Sequence, residues 1–321
     1  MHHRRVSDIA HPVRLSDLFT QWRPDWLTVA VLAVVALLYA RARLRVHASG
    51  RRWPIRRDAA FAVGLSLALW TSSGFPEARN HQLMWVWTMQ VLLLLLVVPT
   101  VLVAAQPVAL ARAAHGGSTL PGRLLGSRAM RVVGHPAVGL LYVPVLMGAL
   151  FFWGLGDWTL RSLPAGWALH VVLLGLGVLI TLPLVDIEDG RTSLAVGLSV
   201  AIGAVELLVD AIPGIVLRLE THLEVAHFGS GRPPWSASWL ADQQTAGGIL
   251  WTVAELLDLP FLILVIVQWM RIERREAVRI DAQLDRAEAD RAATATPDDA
   301  ESARPWWMDH PELSARFQRR G

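Results

Sequence analysis

Apolar runs alternate with short polar connections along most of this chain, and the connections are rich in arginine. A helix that crosses a bilayer needs about 20 mostly apolar residues. Seven segments meet or approach that length: Trp26–Ala40, Ala59–Ser73, Leu83–Ala105, Pro136–Leu155, Trp167–Val185, Ser193–Ile212 and Gly247–Met270. The pattern predicts an all-α, polytopic membrane protein with about seven transmembrane helices. The first two runs are short. Arg41, Arg43 and Arg45 after one, and Arg56 and Arg57 before the other, are placed to snorkel to the headgroups. Residues 1–25 form a polar segment with no small-residue cleavage site, so the first run is expected to stay as a span. Residues 26–270 then form the transmembrane domain, and 271–321 a charged helix followed by a tail.

Arginine placement sets the expected orientation, because short cytoplasmic loops carry the excess. The connection from Arg41 to Arg57 also holds Arg43, Arg45, Arg51, Arg52 and Arg56. Arg112, Arg123, Arg128 and Arg131 follow the third run, and Arg271, Arg274 and Arg275 follow the last. The alternate connections are sparse, with Arg79, then Arg161, then Arg218 and Arg232. This predicts an outer N-terminus and a cytoplasmic C-terminus in a bacterial plasma membrane, with Arg4, Arg5, Arg14 and Arg23 as the contrary signal. Past Met270 charges alternate to Arg291, as in a solvated helix, and an Ala, Thr, Asp and Pro stretch precedes Pro305-Trp306-Trp307-Met308.

Composition narrows the chemistry. The chain is 53% hydrophobic and only 18% charged, with mean hydropathy +0.39, which points to lipid as the solvent. All 30 basic side chains are arginine, so a Schiff-base or nucleophilic lysine is excluded. With no cysteine, thiolate metal sites, disulfides and cysteine catalysis are excluded too. The basic balance, net +3, reads as anchoring to membrane lipid and not as a nucleic-acid surface, because the arginines bracket apolar runs. Motifs of hydrolases, phosphate loops and dinucleotide sites are absent.

Charged groups inside a span cost about 2.5–3.5 kcal/mol each on insertion scales and so usually have partners. Glu206 and Asp210 share a face of the sixth run, and Glu255 and Asp258 a face of the seventh. In the expected topology these four acids face one another in the outer half of the bilayer, or each bonds a neighbouring helix. Histidines form a second pattern. His81 opens the third run, His170 falls in the first turn of the fifth, and His222 and His227 lie in the sixth-to-seventh connection, all on the outer side. Imidazole and thioether donors suit copper, so His81 and His170 are the lead candidate ligands, with His222 third and Met84 or Met89 completing a Cu(I) site. His227 is expected to be a surface residue.

The connection enters the last run as Ala241-Asp242-Gln243-Gln244-Thr245-Ala246-Gly247-Gly248-Ile249-Leu250-Trp251. This string resembles the CtaG family of cytochrome c oxidase assembly factors. Supporting likenesses are Arg52-Trp53-Pro54 with Arg57, Phe61-Ala62-Val63-Gly64, Gln90 followed by Leu92–Leu96 and Pro99, His170, and a tail from Trp306 to Leu313 that looks like actinobacterial members. Within the string, Asp242 reads as a helix N-cap, Gln243 and Gln244 as amide donors at the outer rim, and Gly247 and Gly248 as points of close backbone approach.

The resemblance implies a seven-helix membrane protein, not an enzyme, that helps copper reach the catalytic subunit of a haem–copper oxidase and binds oxidase subunits. The family's third span commonly carries two histidines around the glutamine, and this chain has Trp87 and Val91 there. Copper is therefore held at a displaced site or not bound at all. Two other classes stay open. One is a proton-coupled or ion transporter working through the intramembrane acids; the other is a metal-free membrane scaffold.

Overall fold

The computed structural model describes residues 11–115, 136–185, 208–230, 233–236 and 238–294, and these contain helices and no strand. The chain divides into two compact units, one holding everything described up to Val265 and a second beginning at Ile266.

In the first unit a single turn, α1 (Asp17–Thr20), precedes α2 (Trp26–Ala48). Asp25 caps α2, its Oδ1 accepting the Thr28 N–H at 3.0 Å. The helix runs eight residues past the expected end, through Arg41, Arg43 and Arg45, because arginine stems carry helix into the headgroup layer. α3 (Ile55–Ser73) likewise starts earlier than expected, behind its N-cap Pro54, and leads into the short α4 (Phe75–Arg79).

The third expected span is one rod in three parts: α5 (Met84–Leu92), a π turn (Leu93–Val97) and α6 (Val98–Ala104), followed by α7 (Pro107–His115). Pro99 explains the π turn, since it has no N–H to offer the Leu95 carbonyl. A neighbour uses the gap. A Cβ at Gly177 would lie 2.1 Å from the Leu95 oxygen, so only glycine lets that backbone approach so closely.

α8 (Pro136–Phe151) bends by 60° into α9 (Leu155–Arg161), and α10 (Leu163–Val185) begins four residues before the expected fifth span. His170 therefore sits two turns into its helix and not in the first turn. The expected sixth span lies mostly outside the described residues; helix α11 is seen over 208–219 and runs beyond Ile212. The last helix, α12 (Trp239–Thr294), begins well before Gly247 and continues without a break through the charged stretch. Beyond Ile266 it presents Val278, Ile280 and Leu284 to solvent among its charges.

Among the described residues four helices are long and apolar enough to cross a membrane, five if the bent α8–α9 pair counts as one span. The rod from Met84 to Ala104 is the hub, with 61% of its apolar window buried against 17% for α2. Leu92, Leu94, Leu95 and Val98 from the rod join Met147, Leu150, Leu173, Leu217 and Leu250 in the main core. α2 meets the other helices with few buried residues and turns Leu37, Leu38 and Leu44 outward.

Candidate functional site

One end of the spans gathers the start of α2, the α3–α5 connection, α10 and the start of α12. Four of its polar groups are buried together: Asp25, Glu77, Gln90 and His170. His170 is the centre. Its Nδ1 lies 2.8 Å from Asp25 Oδ2, and its Nε2 lies 3.7 Å from Glu77 Oε2. Glu77 Oε2 also accepts from Asn80 Nδ2 at 2.7 Å and from Gln90 Nε2 at 3.0 Å. Gln90 turns its remaining capacity to the Thr71 carbonyl and to Asn80. Burial pushes the Asp25 carboxyl up, but hydrogen bonds from His170 and Thr28, together with the nearby imidazole charge, hold it below the usual carboxylate range. An imidazole between two carboxylates can carry a proton on either ring nitrogen or on both.

Beside this cluster lies a cavity of about 20 Å³ lined by Glu77, Asn80, His81, Trp87, Thr159 and His170, among others. It has room for a single water-sized occupant. Asn80 Oδ1 is buried without a hydrogen-bond partner among the described residues. His81 stacks edge-on against His227 at 5.4 Å, and the His227 Nε2–H donates to the His81 carbonyl at 3.2 Å. Burial, reinforced by the charges of Arg23, His227 and His170, pushes the His81 imidazole down to about 3. Burial holds His227 low as well.

Arg79 closes the edge of this cluster. Its side chain is fully buried and pairs with Asp17 at 3.3 Å. It donates to Gln21 Oε1 at 2.9 Å and to the His11 carbonyl at 3.2 Å, and it lies 5.4 Å from the Trp235 ring centre. The polar segment before α2 is thereby strapped across this end.

Asp242 does not cap its own helix. Ser238 does so, its Oγ accepting the Ala241 N–H at 3.1 Å. The Asp242 carboxylate instead accepts the Met84 and Trp85 N–H groups at 2.8 and 3.2 Å, and burial raises its pKa against the pull of those two bonds. Gln243 is buried and bridges Glu224 N–H and the His222 carbonyl, while Gln244 is exposed. At Gly247 a Cβ would stand 2.7 Å from Gly214 O, so α11 and α12 cross there in backbone contact. Trp251 donates to Glu255 one turn on.

The structure thus brings His81 and His170 to one cavity and leaves the other proposed ligands elsewhere. The His222 side chain is 78% exposed and Met84 is buried in the apolar core. The two loop histidines exchange their expected roles, because His227 turns in against His81 while His222 faces solvent. Trp87 and Val91 are 2% exposed core residues, with Trp87 5.1 Å from Phe151 and 6.1 Å from Phe228. Among the acids Asp210 is buried, Glu206 lies outside the described residues, and Asp258 is helical with its side chain outside them.

The cavity offers two imidazoles and one carboxylate with no sulfur, and no group of three or more histidine or acidic side chains is arranged to hold a metal among the described residues. That donor set does not fit a closed Cu(I) site. Sequence reasoning passed over Asp25, Glu77, Arg79 and Asn80. Pro24-Asp25-Trp26 carried a readable N-cap signal, whereas Glu77, Arg79 and Asn80 looked like ordinary loop polarity.

Apolar spans, a strapped end and a buried carboxylate–histidine–carboxylate cluster define an α-helical membrane protein with one organised polar end. The chain belongs to the Caa3_CtaG family of cytochrome c oxidase caa3 assembly factors, whose model matches residues 37–272. It is 26% identical over 298 residues to uncharacterised proteins of Mycobacterium bovis and Mycobacterium tuberculosis, and 27% identical to one of Mycobacterium leprae. Each match covers 88% of this chain but 44% of the relative, so the chain spans less than half the length of these curated relatives. No solved structure matches it.

Proposed function

We propose that the chain is a non-enzymatic assembly factor of the bacterial plasma membrane that supports maturation of the catalytic subunit of a haem–copper oxidase. The observation that carries this reading is the Asp25–His170–Glu77 cluster at the strapped end. Buried charge is a costly way to hold helices together, since apolar packing does so without the desolvation cost. Its concentration at one end, with Trp22, Trp153 and Trp158 exposed on the adjoining segments, supports a preorganised platform for another membrane subunit. Copper enters as substrate, brought past His81 and His170 during maturation and not held as a resident ion.

Deleting the gene and measuring haem absorbance, oxidase activity and copper in isolated membranes tests the proposal. The expected result is a loss of active oxidase that wild-type protein restores and His170→Asn does not, at equal abundance. Catalytic subunit that accumulates without copper assigns the copper step. Catalytic subunit that fails to accumulate assigns a metal-free scaffold. Full oxidase activity in the deletion strain overturns the reading.

A further inference from the structure

At the other end of α2, about 35 Å away by helix rise, lies a feature that the assembly role does not use. A concavity of about 400 Å³ opens between the last turns of α2 and the connection into α3, lined by Arg43, His47, Gly50, Arg51, Arg52 and Trp53. That volume is within the range of small-ligand sites, about 300–1,000 Å³. No carboxylate lines it. Asp58, in the first turn of α3, is already engaged by Arg43 Nε at 3.0 Å and by the Tyr39 hydroxyl at 2.9 Å.

One wall is built by a chain of contacts. Trp53 Nε1 donates to the Tyr39 hydroxyl at 3.3 Å, and the Arg57 guanidinium sits 4.6 Å over the Trp53 ring. These hold Trp53 and Arg43 in place. His47, Arg51 and Arg52 have no carboxylate partner among the described residues, so two unpaired guanidinium groups and an imidazole line one space, beside the Arg43 guanidinium that Asp58 holds.

We infer that this concavity binds the phosphate of an anionic membrane phospholipid. Guanidinium groups match phosphate oxygens in geometry and charge. The choice of a lipid over free phosphate rests on what adjoins the mouth. Leu44 is 67% exposed and Ile55 82% exposed, and Leu37 and Leu38 continue an apolar surface along α2, the least buried span among the described residues. A headgroup in the concavity leaves its acyl chains on that surface. Arginines placed only to orient a membrane protein need neither a concavity nor a braced wall.

The test uses the full chain purified in neutral detergent, stripped of lipid, and offered vesicles of phosphatidylglycerol or of phosphatidylcholine, with inorganic phosphate as a third probe. Retained lipid is read by native mass spectrometry. Wild type is expected to retain phosphatidylglycerol, and the pair Arg51→Gln, Arg52→Gln to bind it at least tenfold more weakly. The pair Arg41→Gln, Arg56→Gln removes equal charge outside the concavity and is expected to change binding less than threefold. All four positions are exposed, and unchanged circular dichroism verifies the fold. Equal losses in the two pairs, or equal retention of phosphatidylcholine, overturns the site. Displacement of the lipid by equimolar inorganic phosphate overturns the lipid as its occupant.

Discussion

The Asp242 carboxylate caps the helix that starts at Met84, not the helix on which it stands: its Oδ2 accepts the Met84 N–H at 2.8 Å. One side chain so fixes the start of the central rod against the start of the last helix, across 158 positions of sequence. Asp242→Ala is expected to cost about 1–2 kcal/mol, at the upper end for a lost cap, because the freed amides are shielded. Thermal unfolding in detergent measures the loss. Hydrogen exchange should quicken at Met84 and Trp85 and stay unchanged at Ala241, whose cap is Ser238.

Gln243 and Gln244 are adjacent and chemically identical, yet their variants should differ. Gln243→Ala leaves the Glu224 N–H and the His222 carbonyl without their partner, at a cost of about 1–3 kcal/mol. Gln244→Ala should fall within about 0.5 kcal/mol of wild type. Equal effects in a denaturation series would show that the bridge to the 220s loop contributes nothing.

Arg79→Ala should be among the most damaging single changes, about 3–5 kcal/mol, because it leaves Asp17 as a buried charge without its partner. Adding Asp17→Asn should recover part of the loss, a non-additivity that a double-mutant cycle reads directly. Limited proteolysis offers a second check, with cleavage between residues 11 and 25 expected in the single variant and suppressed in wild type.

Trp87→Ala removes a core ring from its contacts with Phe151 and Phe228 and should cost about 3–5 kcal/mol. Trp87→His, the residue type expected from the family at this position, should also destabilise, since the smaller imidazole leaves much of the indole's volume against Phe151 and Phe228 empty. A stability equal to wild type in equilibrium unfolding would show that the site is not packed as described.

His81 gives the strapped end a pH dependence of defined sign. Its folded pKa of about 3 lies below the ordinary 6.5, so the unfolded chain binds the extra proton between those values. The stabilisation it contributes is complete above pH 6.5 and is lost progressively as pH falls toward 3. Asp242 works in the opposite sense, its raised value favouring the fold in acid, so the His81 share is isolated by difference. The Tm of wild type should fall more steeply between pH 6.5 and 4 than that of His81→Asn, and identical slopes would remove His81 from the account.

By itself the sequence determined the apolar, helical character of the chain and its family, while helix bounds shifted by several residues. Apolar runs of spanning length leave a backbone no option but helix, and the string from Ala241 to Trp251 carried the resemblance. The approach at Gly247 was legible for the same reason, since a paired glycine in a span has few uses other than close packing. Tertiary structure decided which polar groups meet. Asp25 and His170 are 145 positions apart, and no periodicity in either segment indicates that they touch. The roles of His222 and His227 were exchanged because a loop histidine's burial depends on what lies across from it, here His81, and not on its own neighbours in sequence. Asp242 shows the same limit: local pattern placed a capping residue correctly, but only the approach of a second helix determined which amides it would cap.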